Sequence, residues 1–256
     1  MFNIFAIGKS GMSAYQEKLD YLSNDLVNSE TTGYKSTDVG FKDLVTESLN
    51  RLGTPIENKN AISGTGVRLG TNYSVNKQGN IANTGIPTDL AINGEGYFAV
   101  TQSNGNIAYT RDGSFKIDSN GTLVDSNGQK VYIQYENGAS EGNPQLDSKN
   151  ININQDGEIY MKVGDQETKV GTIPVFTAIG DKSFTPIGNN CFVPTSDAQV
   201  TMSTNYNIVQ GALEGSNVNT TEIFSDMILT QRAFQLNSKA ITTADDLWGM
   251  INNMRS

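Results

Sequence analysis

The chain contains no histidine and a single cysteine, Cys191. Without histidine there is no Ser-His-Asp triad, no imidazole general base and no imidazole metal ligand. One cysteine excludes an internal disulfide and a cysteine-rich zinc site. Basic residues are in the minority: 18 Lys+Arg against 27 Asp+Glu give a net charge of −9 and a pI near 4.5. That balance argues against a nucleic-acid partner, which needs clustered Lys and Arg to neutralise phosphates. It argues equally against electrostatic docking on an anionic membrane. No apolar run approaches the roughly 18 residues of a membrane span. The first ten residues, MFNIFAIGKS, lack a basic stretch followed by a small-residue cleavage site, so no cleaved secretory signal is expected.

Charged residues make up only 18% of the 256, whereas glycine, at 26, exceeds its usual share of about 7%. The apolar residues are periodic, so this composition points to turn-rich β structure rather than disorder. The length suits one large domain or two modest ones.

Both ends of the chain carry helical periodicity. Phe5, Gly8, Met12, Tyr15, Leu19, Leu22 and Leu26 step alternately by three and four, which makes a heptad seam. Gly33, a turn beyond Leu26 and Val27, marks where this helix can stop. Near the C-terminus Ile223, Met227, Thr230, Phe234, Asn237, Ile241, Ala244, Trp248 and Ile251 repeat the pattern. Asn219 followed by Glu222 forms an asparagine version of the capping box. A second apolar stripe runs beside the seam: Leu229, Ala233, Leu236, Ala240, Leu247 and Met254. A surface helix usually shows one broad charged face. Two apolar stripes with sparse charge predict contact with more than one partner helix. Thr230 and Asn237 are polar seam positions of the kind that fix register and partner number.

The middle of the chain reads as β structure. Asn93-Gly94, Asn104-Gly105, Asp112-Gly113, Asn120-Gly121, Asn127-Gly128, Asn137-Gly138 and Asp156-Gly157 are tight-turn dipeptides. Between them lie the β-prone runs 97–100, 107–110, 114–117, 130–134, 151–154 and 158–163. Such spacing predicts a sandwich or an irregular barrel. Residues 41–89 are less periodic and read as an extended arm with a few strands.

Catalytic constellations are not evident. Gly94-Glu95-Gly96 is followed by strand-like residues, not by a helix that could cradle a phosphate. Asp245 and Asp246 are helix neighbours whose side chains diverge by about 100°. Asp118-Ser119-Asn120-Gly121 resembles half a calcium loop, but Gln129 stands where the closing acid belongs. Cys191 has no residue type beside it that activates a thiolate, and reads as a small buried hydrophobe. No G-x-S-x-G elbow occurs. No enzyme activity, cofactor, metal or small-molecule substrate is therefore expected.

Three ordered stretches resemble the rod/hook axial protein family of the bacterial flagellum. The first is SGMSAYQEKLDYLSNDLVNSETTGYKS, residues 10–36, with its Ser-Gly-Met start and its Gly, aromatic, Lys ending. The second, residues 64–124, contains GTGV, QGN, DLAINGEGYFAV, YTRDGSF and GTLV. The third, residues 210–248, contains SNVN, QRAF and NSKAITT. Within that family, the length suits a rod subunit better than the longer hook protein. The QRAF…NSKAITT ending favours a distal over a proximal rod position. Residues 43–63 resemble an additional arm segment of distal rod proteins. A proximal rod or hook position in the same family stays as the alternative, and a β-sandwich binding module or enzyme with helical tails as a competitor of another class.

The resulting expectation is an α+β chain. The N- and C-terminal helices form a discontinuous coiled-coil domain, with an inserted all-β body and an extended arm. The expected boundaries are 1–35 for the first helix, 36–86 for the arm, 87–207 for the β body, and 208–256 for a linker and the last helix. The resemblance implies a structural subunit that self-assembles helically into a hollow drive shaft transmitting torque to the hook. Its partners would be further copies of itself, other rod and hook proteins, and the flagellar type III export apparatus. It would sit in the basal body outside the cytoplasmic membrane, exported without a cleaved signal peptide. The expected assembly interface is Met12, Tyr15, Leu19, Leu22, Leu26, Ile223, Met227, Phe234, Asn237, Ile241, Trp248 and Ile251.

Overall fold

The computed structural model describes residues 2–44, 46–48, 62–136, 146–148, 150–163, 166–180, 183–195 and 198–254. The architecture is α+β, with an N-terminal and a C-terminal helix flanking a β-rich middle. The chain divides into two compact units. One comprises residues 1–27, 37–72 and 219–256; the other comprises 28–36 and 73–218. Residues 28–36 group with the β structure. Much of the expected arm segment 43–63, and Asn137-Gly138, lie outside the described residues.

In the first unit, α1 spans Phe2–Val27 and α2 spans Thr220–Met254. The Asn219 side chain accepts hydrogen bonds from the Thr221 and Glu222 amides at 3.1 and 3.4 Å, capping α2 where the sequence places its start. The two helices pack on each other. Gly8 of α1 lies against Ile241 of α2, and Gly11 lies against Asn237. As the α1 number rises the α2 number falls, so the pair is antiparallel. A β-carbon on Gly11 would stand 3.0 Å from Asn237 Oδ1. Small residues thus set how closely the two backbones approach. A short ribbon pairs Thr37–Asp43 with Val67–Ser74, and a second pairs Thr46–Ser48 with Ile62–Gly64. The first ribbon is tied to α1. Tyr15 stacks at 5.1 Å on Phe41, Lys18 lies over the same ring, and Asp25 accepts the Thr37 amide.

In the second unit, a nine-stranded antiparallel sheet is built around Tyr97–Thr101, which pairs with Ile107–Thr110, Lys130–Val131 and Val175–Ala178. A four-stranded sheet contains Ile151–Ile153, Glu158–Val163, Gln166–Thr172 and Gln134–Tyr135. Two further pairs join Tyr206–Gln210 to Leu90–Gly94 and Ala212–Glu214 to Ile81–Asn83. The main core gathers Leu90, Ile92, Phe98, Phe115, Leu123, Ile159, Ile173 and Ile208. Alternate residues of one strand point to opposite faces. Phe98 and Val100 accordingly enter this core, whereas Tyr97 and Ala99 enter a second cluster with Tyr109, Phe184 and Phe192.

The Asn-Gly and Asp-Gly pairs behave in two ways. Gly105, Gly121, Gly128 and Gly157 adopt positive φ and close hairpins, as at Gly121, whose amide donates to Asp118 O at 2.8 Å. That turn is what the Asp118–Gly121 stretch forms. Gly113 has no positive φ and closes no hairpin. Its carbonyl accepts the Leu90 and Phe115 amides, and a β-carbon there would collide with Leu90 O. Gly94-Glu95-Gly96 is the bend between Leu90–Gly94 and Tyr97–Thr101, strands that pair with other partners.

Candidate functional site

The helix pair presents two kinds of surface. On α1 the fully buried positions are Gly8, Gly11, Ala14 and Asp25. The expected interface residues Met12, Tyr15, Leu19, Leu22 and Leu26 are half-buried, displaced to the side of that line of small residues. On α2, Ile223, Thr230 and Ala244 are buried, and Met227, Phe234, Asn237 and Ile241 are half-buried. Asn237 Nδ2 donates to Ala233 O at 2.9 Å, so the helix itself satisfies this polar seam residue. Trp248 and Ile251 are exposed. α2 has 35 residues and α1 has 26, so the last residues of α2 outrun its antiparallel partner.

The second stripe of α2 lies open. Leu236 is 70% exposed and Met254 81%, and Leu229 and Leu247 are also exposed, with Phe224, Ile228 and Met250 extending the apolar surface. Scattered apolar side chains on a surface are ordinary, but a continuous stripe is a mark of association. Asp245 and Asp246 are exposed on the same helix.

The second unit holds a polar cluster that local sequence pattern did not reveal. Glu214, 1% exposed, accepts from Lys35 Nζ at 2.6 Å, from Arg111 Nη1 at 2.8 Å and from the Gly79 amide at 2.8 Å. Lys35 Nζ also donates to Lys77 O, and Arg111 Nη2 to Gly94 O. The Gly33 amide donates to Glu214 O. Asn217 completes the tie: its Oδ1 accepts the Ser36 amide at 2.7 Å, and its Nδ2 donates to Val75 O and Lys77 O. Lys35, Arg111 and Asn217 come from GYK, YTRDGSF and SNVN, three short elements of the resemblance, and Glu214 lies just before SNVN. Their meeting is a long-range property with no local period.

Burial holds the Lys35 ammonium below its ordinary range against the opposing pull of Glu214, and Arg111 adds to the lowering. Tyr97 lies under the Arg111 guanidinium at 5.3 Å and donates to Asn76 Oδ1 at 2.8 Å. Its hydroxyl is pushed up to about 12, chiefly by burial. Cys191 is buried, and burial, followed by Asp125 and Asp112, raises its thiol to about 11. At neutral pH it is a thiol and not a nucleophile. Among the described residues, no group of three His, Cys, Asp or Glu side chains is placed to hold a metal ion. No described helix is long and apolar enough to cross a membrane.

A stapled β unit and a helix pair with an open apolar stripe suit a chain that packs against others, and comparison with known proteins agrees. Residues 91–161 match the flagellar hook protein FlgE/F/G D1 domain, and residues 209–254 match the flagellar basal body rod FlgEFG protein C-terminal family. The flagellar basal-body rod protein FlgG of Borreliella burgdorferi is 35% identical over 269 residues, covering 96% of each chain. FlgG of Bacillus subtilis is 33% identical over 97% of each chain. The flagellar hook-basal body complex protein FlhP of the same organism is 33% identical over 95% of this chain and 96% of its own. The chain belongs to the FlgG family of flagellar basal-body rod proteins, a family of structural proteins and not of enzymes.

Proposed function

We propose that this chain is a structural subunit of the distal rod, and that its copies assemble helically into a hollow tube that carries torque to the hook. The observation that carries this reading is the exposed apolar stripe of α2, which one antiparallel partner leaves open. Burial of such a stripe against helices of neighbouring copies is worth about 25 cal/mol per Å². Contacts that repeat without closing give a filament rather than a ring. In this reading Met12, Tyr15, Leu19, Leu22, Leu26, Ile223, Met227, Phe234, Asn237 and Ile241 shape a coiled-coil helix pair that lines the channel. Trp248 and Ile251, both exposed on the last turns of α2, contact a neighbouring copy. Before assembly the helices are marginal and depend on packing, which suits passage through a narrow type III export channel without a cleaved signal. Other rod and hook proteins cap the two ends of the tube.

Leu229→Asp with Leu236→Asp tests this. Both side chains are exposed, so the purified variant should stay folded and monomeric by circular dichroism and sedimentation. Cells carrying it should lack rods in electron micrographs of basal bodies and should not swim. Normal rods and motility would remove the stripe from the assembly surface.

A further inference from the structure

The buried cluster contains two cations and one carboxylate. Glu214 accepts from both Lys35 and Arg111, so among the described residues of the cluster two cations share one paired carboxylate. Backbone carbonyls of Lys77, Ile92 and Gly94 accept further hydrogen bonds from the two cations, which satisfies donors but adds no charge. Arg111 Nε is buried and has no partner among the described residues. A buried cation lacking an anion is costly. Arg111 also lines a cavity of about 380 Å³ whose walls include the apolar groups Tyr97, Ala178, Ile179 and Phe184. Asn76, which accepts the Tyr97 hydroxyl through Oδ1, lines the same cavity.

We propose that this cavity binds an organic carboxylate, with the charge on the Arg111 side and the carbon chain on the Tyr97, Ala178 and Phe184 walls. Charge-assisted hydrogen bonds to guanidinium are roughly twice as strong as neutral ones. A bare inorganic anion would leave the aromatic and aliphatic walls uncovered, so the mixed lining selects a carboxylate attached to carbon. Two sources supply that chemistry: a free small carboxylate, or an acidic side chain of a second copy of this strongly acidic chain. Glu95, an exposed residue, lines the same cavity and as a like charge lowers the affinity for a carboxylate. The site does not depend on the tubular assembly, and neither does its test.

The test uses the full chain, ¹⁵N-labelled, with the Arg Nε–H resonances assigned by triple-resonance spectroscopy. The probes are N-acetylglutamate amide, its neutral isostere N-acetylglutamine amide, and inorganic phosphate. The Arg111 Nε–H signal should shift saturably with the glutamate probe, with an affinity about tenfold or more above that of the glutamine probe and of phosphate. Ile179 is 90% exposed, so its substitution leaves the fold intact. Ile179→Asp should weaken glutamate binding about tenfold by like-charge repulsion, and Ile179→Lys should not weaken it. Glu95→Gln removes a carboxylate of the chain's own that lines the cavity and should tighten binding. If a second copy supplies the carboxylate, the Arg111 signal also moves with protein concentration alone, and Ile179→Asp stops that movement. If a free molecule supplies it, the signal moves only with the probe. The proposal is overturned if the signal follows neither probe nor concentration in the wild type and in Glu95→Gln, if the glutamine probe or phosphate acts as strongly as glutamate, or if Ile179→Asp changes nothing.

Discussion

Gly8 of α1 faces Ile241 of α2 so closely that a β-carbon on the glycine would stand 2.8 Å from Ile241 Cγ1. Real β-carbons essentially never approach another heavy atom at that distance, so the glycine sets how closely the pair crosses. Gly8→Leu should force the helices apart and cost about 1–3 kcal/mol. The loss should be confined to α1, α2 and the ribbon 37–43, and amide hydrogen exchange should locate it there. Equal protection in variant and wild type would show that α1 and α2 do not depend on this contact.

Glu214 serves two cations, so removing it and removing one cation are unequal acts. Glu214→Gln leaves Lys35 and Arg111 buried without an anion and should cost about 3–5 kcal/mol. Lys35→Met removes one cation and leaves Arg111 paired with Glu214, so its cost should be clearly smaller. Urea unfolding of the two variants measures the order. A larger loss for Lys35→Met would contradict the charge count at this site.

The alkaline limb of the stability curve follows from Tyr97 and Cys191. Both have pKa values raised by burial, from 10.0 to about 12 and from 9.0 to about 11. Each neutral form is favoured in the folded state, so the folded chain holds protons that the unfolded chain has lost. Their contribution is fully present below pH 9 and is lost as pH rises, between 9 and about 11 for Cys191 and between 10 and about 12 for Tyr97. Cys191→Ala should flatten the first part of that decline and Tyr97→Phe the second. Lys35, whose pKa is lowered, acts with the opposite sign up to its unfolded value of 10.5. Lys35→Met should therefore steepen the net decline below that pH. Denaturant midpoints across the range provide the check.

The β unit needs its flanks. Residues 28–36 and 73–86 belong to it, and Lys35, Gly33 and Ser36 bond to Glu214 and Asn217. A fragment spanning 28–218 should melt cooperatively, whereas 87–205, which lacks Lys35, Glu214 and the strand Tyr206–Gln210, should not. Calorimetry of the two fragments distinguishes them, and a cooperative transition in the shorter one would show that the cluster is dispensable.

Local pattern carried much of the fold. Asn219 caps α2, and the strands Ile107–Thr110 and Glu158–Val163 stand where β-prone runs meet Asn-Gly or Asp-Gly turns. These are short-range effects: a side chain bonding to nearby amides, a glycine taking positive φ, an alternation of faces. The second apolar stripe of α2 was visible in the same way, because periodicity reveals which face is apolar before anything covers it.

Tertiary structure decided what no period encodes. Asp112-Gly113 has a hairpin composition, yet Gly113 serves the close approach of Leu90 O. The contact line of α1 follows Gly8, Gly11 and Ala14 and not the larger neighbours, because backbone distance depends on what the partner helix brings. Lys35, Arg111 and Glu214 share no local pattern in the sequence. They become a buried cluster because residues 103 and 179 positions from Glu214 fold onto one point. The sequence by itself determined the elements and their apolar faces, since those arise within a few residues. Which charges meet, which glycine is crowded and which stripe stays open were decided only when distant segments shared one volume.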